Sequence, residues 1–183
     1  MEVWYGAEQV PASLSAPGGP GAVVTMGIFD GVHRGHQAVL GRVVELSHEL
    51  AHGDLRPLAV AVTFDPHPRS VHQPEADLPL IASLTDRLAS LEGVGLDAVL
   101  VVAYDLDFAA QGPREFVRTW LEGLLGVRAL VGRHQPAGPL AADLSPDVAV
   151  EDAFEAHRAD VLAYARRRVA ADLADDAVAE TFA

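Results

Sequence analysis

The chain has 183 residues, half of them hydrophobic, and a formal net charge of −13. Such an acidic surface disfavours generic binding to nucleic-acid phosphates or to an anionic membrane. There is no cysteine and all 13 basic residues are arginine, which excludes disulfides, thiolate catalysis, cysteine zinc sites and the lysine-bearing Walker loop.

The length suits one domain with an appendage. No apolar run approaches the ~20 residues that span a bilayer. The opening MEVWYGAEQV lacks the basic-then-apolar order of a secretory signal, so the expected location is the cytoplasm.

In chain order, Ala22–Met26 reads as a buried strand. Residues 37–51 carry Val39, Leu40, Val43, Val44, Leu46 and Leu50 at helical spacing, and Gly53 closes the segment. Leu58–Phe64 is a second strand, ended by Pro66 and Pro68. Leu84–Leu91 is helical, with Gly93 and Gly95 behind it. Ala98–Val102 is a third strand. Pro113 opens a helix through Leu125, with Phe116, Val117, Trp120, Leu121 and Leu124 on one side, and Arg128–Val131 is a fourth strand. Strands alternating with helices predict an α/β fold, a parallel sheet with helices on both faces. Ligands of such sheets bind beyond the carboxyl ends of the strands, so the informative loops follow Met26, Phe64, Val102 and Val131.

Residues 133–150 are rich in proline, alanine and aspartate and read as a linker. Residues 151–183 begin a new helical pattern, so the expected division is a nucleotide-binding domain over 1–132, the linker and a helical tail.

Two loops carry chemistry. The first, Gly27-Ile28-Phe29-Asp30-Gly31-Val32-His33-Arg34-Gly35-His36, follows a strand and opens a helix. Gly27, Gly31 and Gly35 permit tight turns and close approach to a ligand. A helix N-terminus offers N–H groups and partial positive charge to phosphate. His33 and His36, three apart, fall on one side of the first turn and can donate to phosphate oxygens without a lysine. The competing readings of this pair are a surface coincidence and a zinc pair completed by His67. The second loop, Thr63-Phe64-Asp65-Pro66-His67-Pro68-Arg69, is stiffened by its prolines and holds Asp65, His67 and Arg69 at the same sheet edge. Asp65 can bind Mg²⁺ or orient a substrate hydroxyl. Tyr104-Asp105-Leu106-Asp107-Phe108, after the third strand, lines a flat aromatic ligand or closes the core.

At these residues the sequence resembles the FMN adenylyltransferase (FAD synthetase) module of the bacterial bifunctional riboflavin kinase/FAD synthetase family. The matching stretches are VVTMGIFDGVHRGHQ at 23–37, AVAVTFDPHPRSV at 59–71, LTDRLASLEGVGLDAVLVV at 84–102 and DLDFAAQGPREFVRTWLEGLLGVRALVG at 105–132. H-x-G-H alone would indicate only the wider nucleotidyltransferase superfamily, with its Rossmann-like sheet; the TFDPHP loop narrows it. The resemblance implies that ATP and FMN give FAD and pyrophosphate, with Mg²⁺. It implies that His33 and His36 are catalytic, holding ATP phosphates, and that Gly27, Phe29, Asp30, Gly31 and Gly35 complete the ATP site. Asp65, His67, Pro68 and Arg69 would shape the flavin site, with Asp65 as the metal ligand.

Beyond Gly132 the family's V-G-x-D/N-F-x-F-G and S-S-T-x-x-R stretches and its kinase domain are not found, so a C-terminally truncated sheet is expected. Residues 154–183 resemble the start of the core-binding region of extracytoplasmic-function sigma factors, which implies RNA polymerase as a partner. The two broken matches together predict a fused or frameshifted reading frame. Two other readings stand beside the enzyme: a non-catalytic nucleotide binder and a polymerase-binding adaptor.

Overall fold

The computed structural model describes residues 1–75 and 79–132. The expected linker and helical tail, and with them the polymerase-facing surface, lie outside the described residues. Five strands form one parallel sheet: β1 (Glu2–Tyr5), β2 (Ala22–Met26), β3 (Leu58–Asp65), β4 (Ala98–Ala103) and β5 (Val127–Leu130), in the order β1-β4-β3-β2-β5. Apolar residues run through β2, β3 and β4 without alternation because both sheet faces are covered, and all five residues of β2 are buried.

On one face, Val23, Ala59, Ala61, Val99 and Val101 pack with Leu40 and Val43 of α1 (Arg34–Glu49) and Leu91 of α3 (Leu84–Glu92). On the other, Val24, Val60, Val62, Leu100 and Val102 pack with Val117, Leu121 and Leu125. Between these helices lie two short ones, α2 (Pro68–His72) and α4 (Leu106–Ala109). The chain steps from β2 through β3 to β4 in one direction, then returns to lay β5 on the other side of β2. That reversal makes the carboxyl ends of β2 and β5 the natural crevice of the fold.

Several elements differ from the sequence expectation for identifiable reasons. β1 is an added edge strand, registered Glu2 to Ala98 through Tyr5 to Val101. Of its four residues only Trp4 is buried, with Val3 partly buried against the opposite face, too short a pattern to read as a strand. α1 starts at Arg34 rather than Gln37 because the side chain of His33 caps it. The proline-stiffened loop after β3 contains α2, with Pro68 in its first turn. The 113–125 helix begins as α5 (Pro113–Phe116) and then widens to π-helical winding over Val117–Leu124, where Leu125 N–H reaches back five residues to the Trp120 carbonyl at 3.2 Å. No helix among the described residues is long and apolar enough to cross a membrane.

The amino end of the sheet, away from the crevice, is tied by charge. Asp97 accepts from Arg56 Nη1 and Nη2, each at 2.8 Å, and from the Ala59 N–H at 2.7 Å. Burial pushes the Asp97 carboxyl up, but the Arg56 hydrogen bonds and the Ala59 N–H outweigh it and hold the group below its usual range. Replacement Asp97→Ala is expected to cost about 2 kcal/mol of stability. A carboxyl depressed in the folded state contributes fully above its unfolded pKa of about 3.9, and the contribution disappears as pH falls through the lower folded value. Urea midpoints measured from pH 7 downward should therefore fall more steeply for the wild type than for Asp97→Ala below pH ~4. Parallel curves would contradict the assignment.

Candidate active site

The loop after β2 is fixed along its whole length. Gly27 N–H donates to Val62 O at 3.0 Å, continuing the sheet one residue past the strand. Ile28 O then accepts from Thr63 Oγ1 at 3.0 Å and from Arg87 Nη1 at 2.9 Å. Phe29, Gly31 and Val32 all have positive φ, at 57°, 72° and 37°. A β-branched residue there is strained, and such a conformation persists only when its surroundings dictate it. Here Phe29 and Val32 are buried in the α1/α3 core, and Gln37 Nε2 donates to Val32 O at 3.0 Å.

His33 ends the loop and caps α1 with its ring. Nδ1 accepts from Gly35 N–H at 3.1 Å and from His36 N–H at 3.3 Å. An accepting Nδ1 carries no proton, so the neutral ring carries it on Nε2. The expected role of the helix start is thereby altered. Two of its first N–H groups are spent on His33, and Gln37 N–H bonds His33 O at 3.0 Å. The donor offered beyond the strand ends is the exposed imidazole. The His36 ring stacks on the His33 ring, centroids 3.7 Å apart and planes 20° apart, and meets Phe29 edge-on at 5.3 Å.

The structure sorts the anticipated nucleotide-site residues. His33 and His36 stand together at the sheet's carboxyl edge, with Gly35 between them in the first turn of α1. Phe29, expected in the ATP site, is instead 2% exposed and supports the His36 ring from beneath. Asp30 is used within the fold: its carboxylate accepts from Ile81 N–H at 2.9 Å and Ala82 N–H at 2.8 Å. It latches the segment before α3 over Gly31, where a Cβ would lie 3.2 Å from Ile81 Cγ2.

The second loop leaves β3 beside the first. Asp65 is exposed, and its Oδ1 lies 3.3 Å from Arg87 Nη2. His67 is buried and caps α2 as His33 caps α1, its Nδ1 accepting from Arg69 N–H at 3.0 Å. Pro68 is also buried, and the half-buried Arg69 donates from Nε to Gln73 Oε1 at 3.3 Å. His67 is thus a structural cap within its own loop, and no cluster of three or more His, Cys, Asp or Glu able to hold a metal occurs among the described residues. The zinc reading is not supported.

After β4, Tyr104 and Phe108 take the core alternative. Tyr104 is 5% exposed, and Phe64, Tyr104, Phe108, Phe116 and Trp120 form a continuous ring cluster with centroid separations of 5.4 to 6.0 Å. His72 Nε2 meets Tyr104 Oη at 2.9 Å, joining α2 to this cluster.

Arg87 escaped sequence reasoning. It reads as one more arginine on an amphipathic helix, yet its side chain is 2% exposed and reaches both loops. The available signal was its position: a charge at the helix's inward spacing, four residues before Leu91.

The chain is similar to known proteins over most of its described length. The family described as FAD synthetase matches residues 17–138. The chain is 40% identical over 110 residues to the bifunctional riboflavin kinase/FMN adenylyltransferase of Pseudomonas fluorescens, covering 60% of this chain and 33% of that protein. It is 34% identical over 113 residues to the Bacillus subtilis protein of the same name, covering 61% and 34%. A putative bifunctional riboflavin kinase/FMN adenylyltransferase of Geobacillus thermodenitrificans is 41% identical over 99 residues, covering 54% and 51%. The chain therefore spans between a third and a half of the length of these relatives. Among solved structures, one titled as a macrolide-efflux protein from Streptococcus pneumoniae superposes with a TM-score of 0.55 at 20% identity, covering 72% of this chain and 40% of that one, which is a likeness of fold. By the family match over most of its length, the chain belongs to the FAD synthetase family.

Proposed function

We propose that the chain transfers the adenylyl group of ATP to FMN in the cytoplasm. An oxygen of the FMN phosphate attacks the α-phosphorus of ATP, the bond from that phosphorus to the bridging α–β oxygen breaks, and pyrophosphate leaves as FAD forms. The observation that carries this reading is the exposed His33 ring, whose Nδ1 accepts from two backbone N–H groups and so leaves Nε2 as the ring's donor.

The chemistry asks little beyond position and charge. A phosphate monoester with a second pKa of about 6 is already ionised at neutral pH, so the nucleophile needs no general base. His33 and the stacked His36 donate to the ATP phosphates as charge builds on the departing pyrophosphate. Asp65 and Arg69 face the flavin nucleotide. A single exposed carboxylate fits Mg²⁺, which usually keeps several waters and takes one or two protein carboxylates plus substrate phosphates. Asp65 would hold that ion, which would supply further neutralisation of phosphate charge. In a protein of net charge −13, such local positive groups are needed to hold two nucleotides.

Incubating the purified chain with ATP, FMN and Mg²⁺ and resolving FAD by chromatography tests the proposal. FAD and pyrophosphate should appear in equal amounts. Calorimetric binding of both nucleotides without pyrophosphate release would replace it with a non-catalytic binder. The polymerase-adaptor reading has no support among the described residues.

A further inference from the structure

We infer that Arg87 is a positioning residue for this reaction, tying the loop that carries His33 and His36 to the loop that carries Asp65. Its kinetic consequences rest on the proposed function; the tie between the loops rests on geometry alone.

Arg87 sits at the fourth position of α3 and turns inward. Nη1 donates to Ile28 O at 2.9 Å and lies 3.4 Å from Thr63 Oγ1, the hydroxyl that itself donates to Ile28 O. Both Nη atoms lie 3.4 Å from Phe64 O, and Nη2 lies 3.3 Å from Asp65 Oδ1. Every one of these acceptors belongs to β3's end or to one of the two loops. The Asp30 carboxylate adds a second tie between the first loop and the approach to α3, through Ile81 and Ala82.

A purely structural need would be met differently. A buried guanidinium loses its hydration, and its acidic partner Asp65 is 46% exposed, which weakens the compensating attraction. An apolar side chain would seat α3 on the sheet without that loss. What the guanidinium adds is a rigid planar fork that sets several acceptors at once. The strained loop at Phe29 and Val32 is the kind of backbone that needs such over-determination. Fixing Oδ1 of Asp65 also orients the carboxylate for whatever meets its other oxygen.

The test compares the full chain with its Arg87→Met and Arg87→Lys variants. Backbone hydrogen exchange should quicken in residues 27–33 and 65–70 of Arg87→Met, while amides within β2, β3 and β4 keep their protection. Turnover should fall about 100-fold with KM for ATP and FMN changed far less, since misplacing reacting groups acts mainly on kcat. Arg87→Lys should recover part of both effects. Exchange that rises everywhere alike, or in neither loop, overturns the inference, as does a folded Arg87→Met with kcat within about twofold of wild type. If the wild-type chain makes no FAD, the proposed function fails by itself and the exchange pattern alone decides the tie. If Arg87→Met does not fold, Arg87→Lys carries the same exchange comparison.

Discussion

Replacing His33 by alanine is expected to lower FAD formation by 10²–10³-fold, as loss of one preorganised donor to developing charge typically does, where ~3 kcal/mol is at stake. The same change should also cost about 1 kcal/mol of stability, because the ring caps α1. The two effects can be separated. Asparagine is itself a good helix cap, accepting from the N–H groups that Nδ1 now serves, but it does not reach out as the Nε2–H does. His33→Asn should keep the melting temperature of the wild type and still lose turnover. His36→Ala should lose activity to a similar extent, since it removes both its own donor and the ring stacked at 3.7 Å on His33. Steady-state kinetics with ATP and FMN, beside thermal melts, measures all three. Full activity in His33→Asn would refute the donor role, and equal losses of stability in His33→Asn and His33→Ala would refute the cap.

The largest stability effect is expected at Gly21, far from the chemistry. Gly21 has φ of 65° and precedes β2, where its N–H bonds Leu14 O at 3.0 Å and its carbonyl accepts from Leu58 N–H at 2.9 Å. A Cβ at this position would overlap the Gly126 carbonyl oxygen and lie 2.8 Å from Arg128 Nε. Neither β2 nor the turn into β5 can move without breaking their shared ladder. Gly21→Ala should therefore cost about 3 kcal/mol or more, combining positive-φ strain with displaced backbone. Gly18 is the internal control: its φ is 78°, but nothing lies within 4 Å of where an alanine methyl would sit, so Gly18→Ala should cost only about 1 kcal/mol of conformational strain. Melting temperatures should differ by roughly 5 °C or more between the two variants. Equal melting temperatures would show that β2 and β5 separate more easily than their register suggests.

These expectations divide along the same line as the reading of the chain itself. The strands AVVTM, LAVAVTF and AVLVV were legible because unbroken apolar runs fit burial on both faces, and each begins and ends within a residue of its expected place. β1 was not, since its only buried residue is Trp4 and its partner β4 lies far along the chain at Ala98–Ala103, a pairing that local pattern does not encode. The stacked histidines followed from spacing three on a helix. Their support did not: the cap from His33 Nδ1 shifts the helix start to Arg34 and redirects the donors.

The acidic residues of the two loops show most clearly what spacing leaves open. Asp30 and Asp65 read alike in sequence, each beside a glycine or proline at a strand's carboxyl end. Only packing distinguishes them, because Asp30 finds two backbone N–H groups 51 and 52 residues ahead, whereas Asp65 remains exposed with one oxygen on Arg87. The sequence by itself determined the parallel α/β sheet, the loop edge where the proposed site lies and the histidine pair, all of which depend on periodicity and on neighbours a few residues apart. The tertiary structure alone decided which residues of that edge stay exposed and which hold the loops, since that choice depends on contacts across the sheet, above all the buried guanidinium of Arg87 reaching both loops from α3.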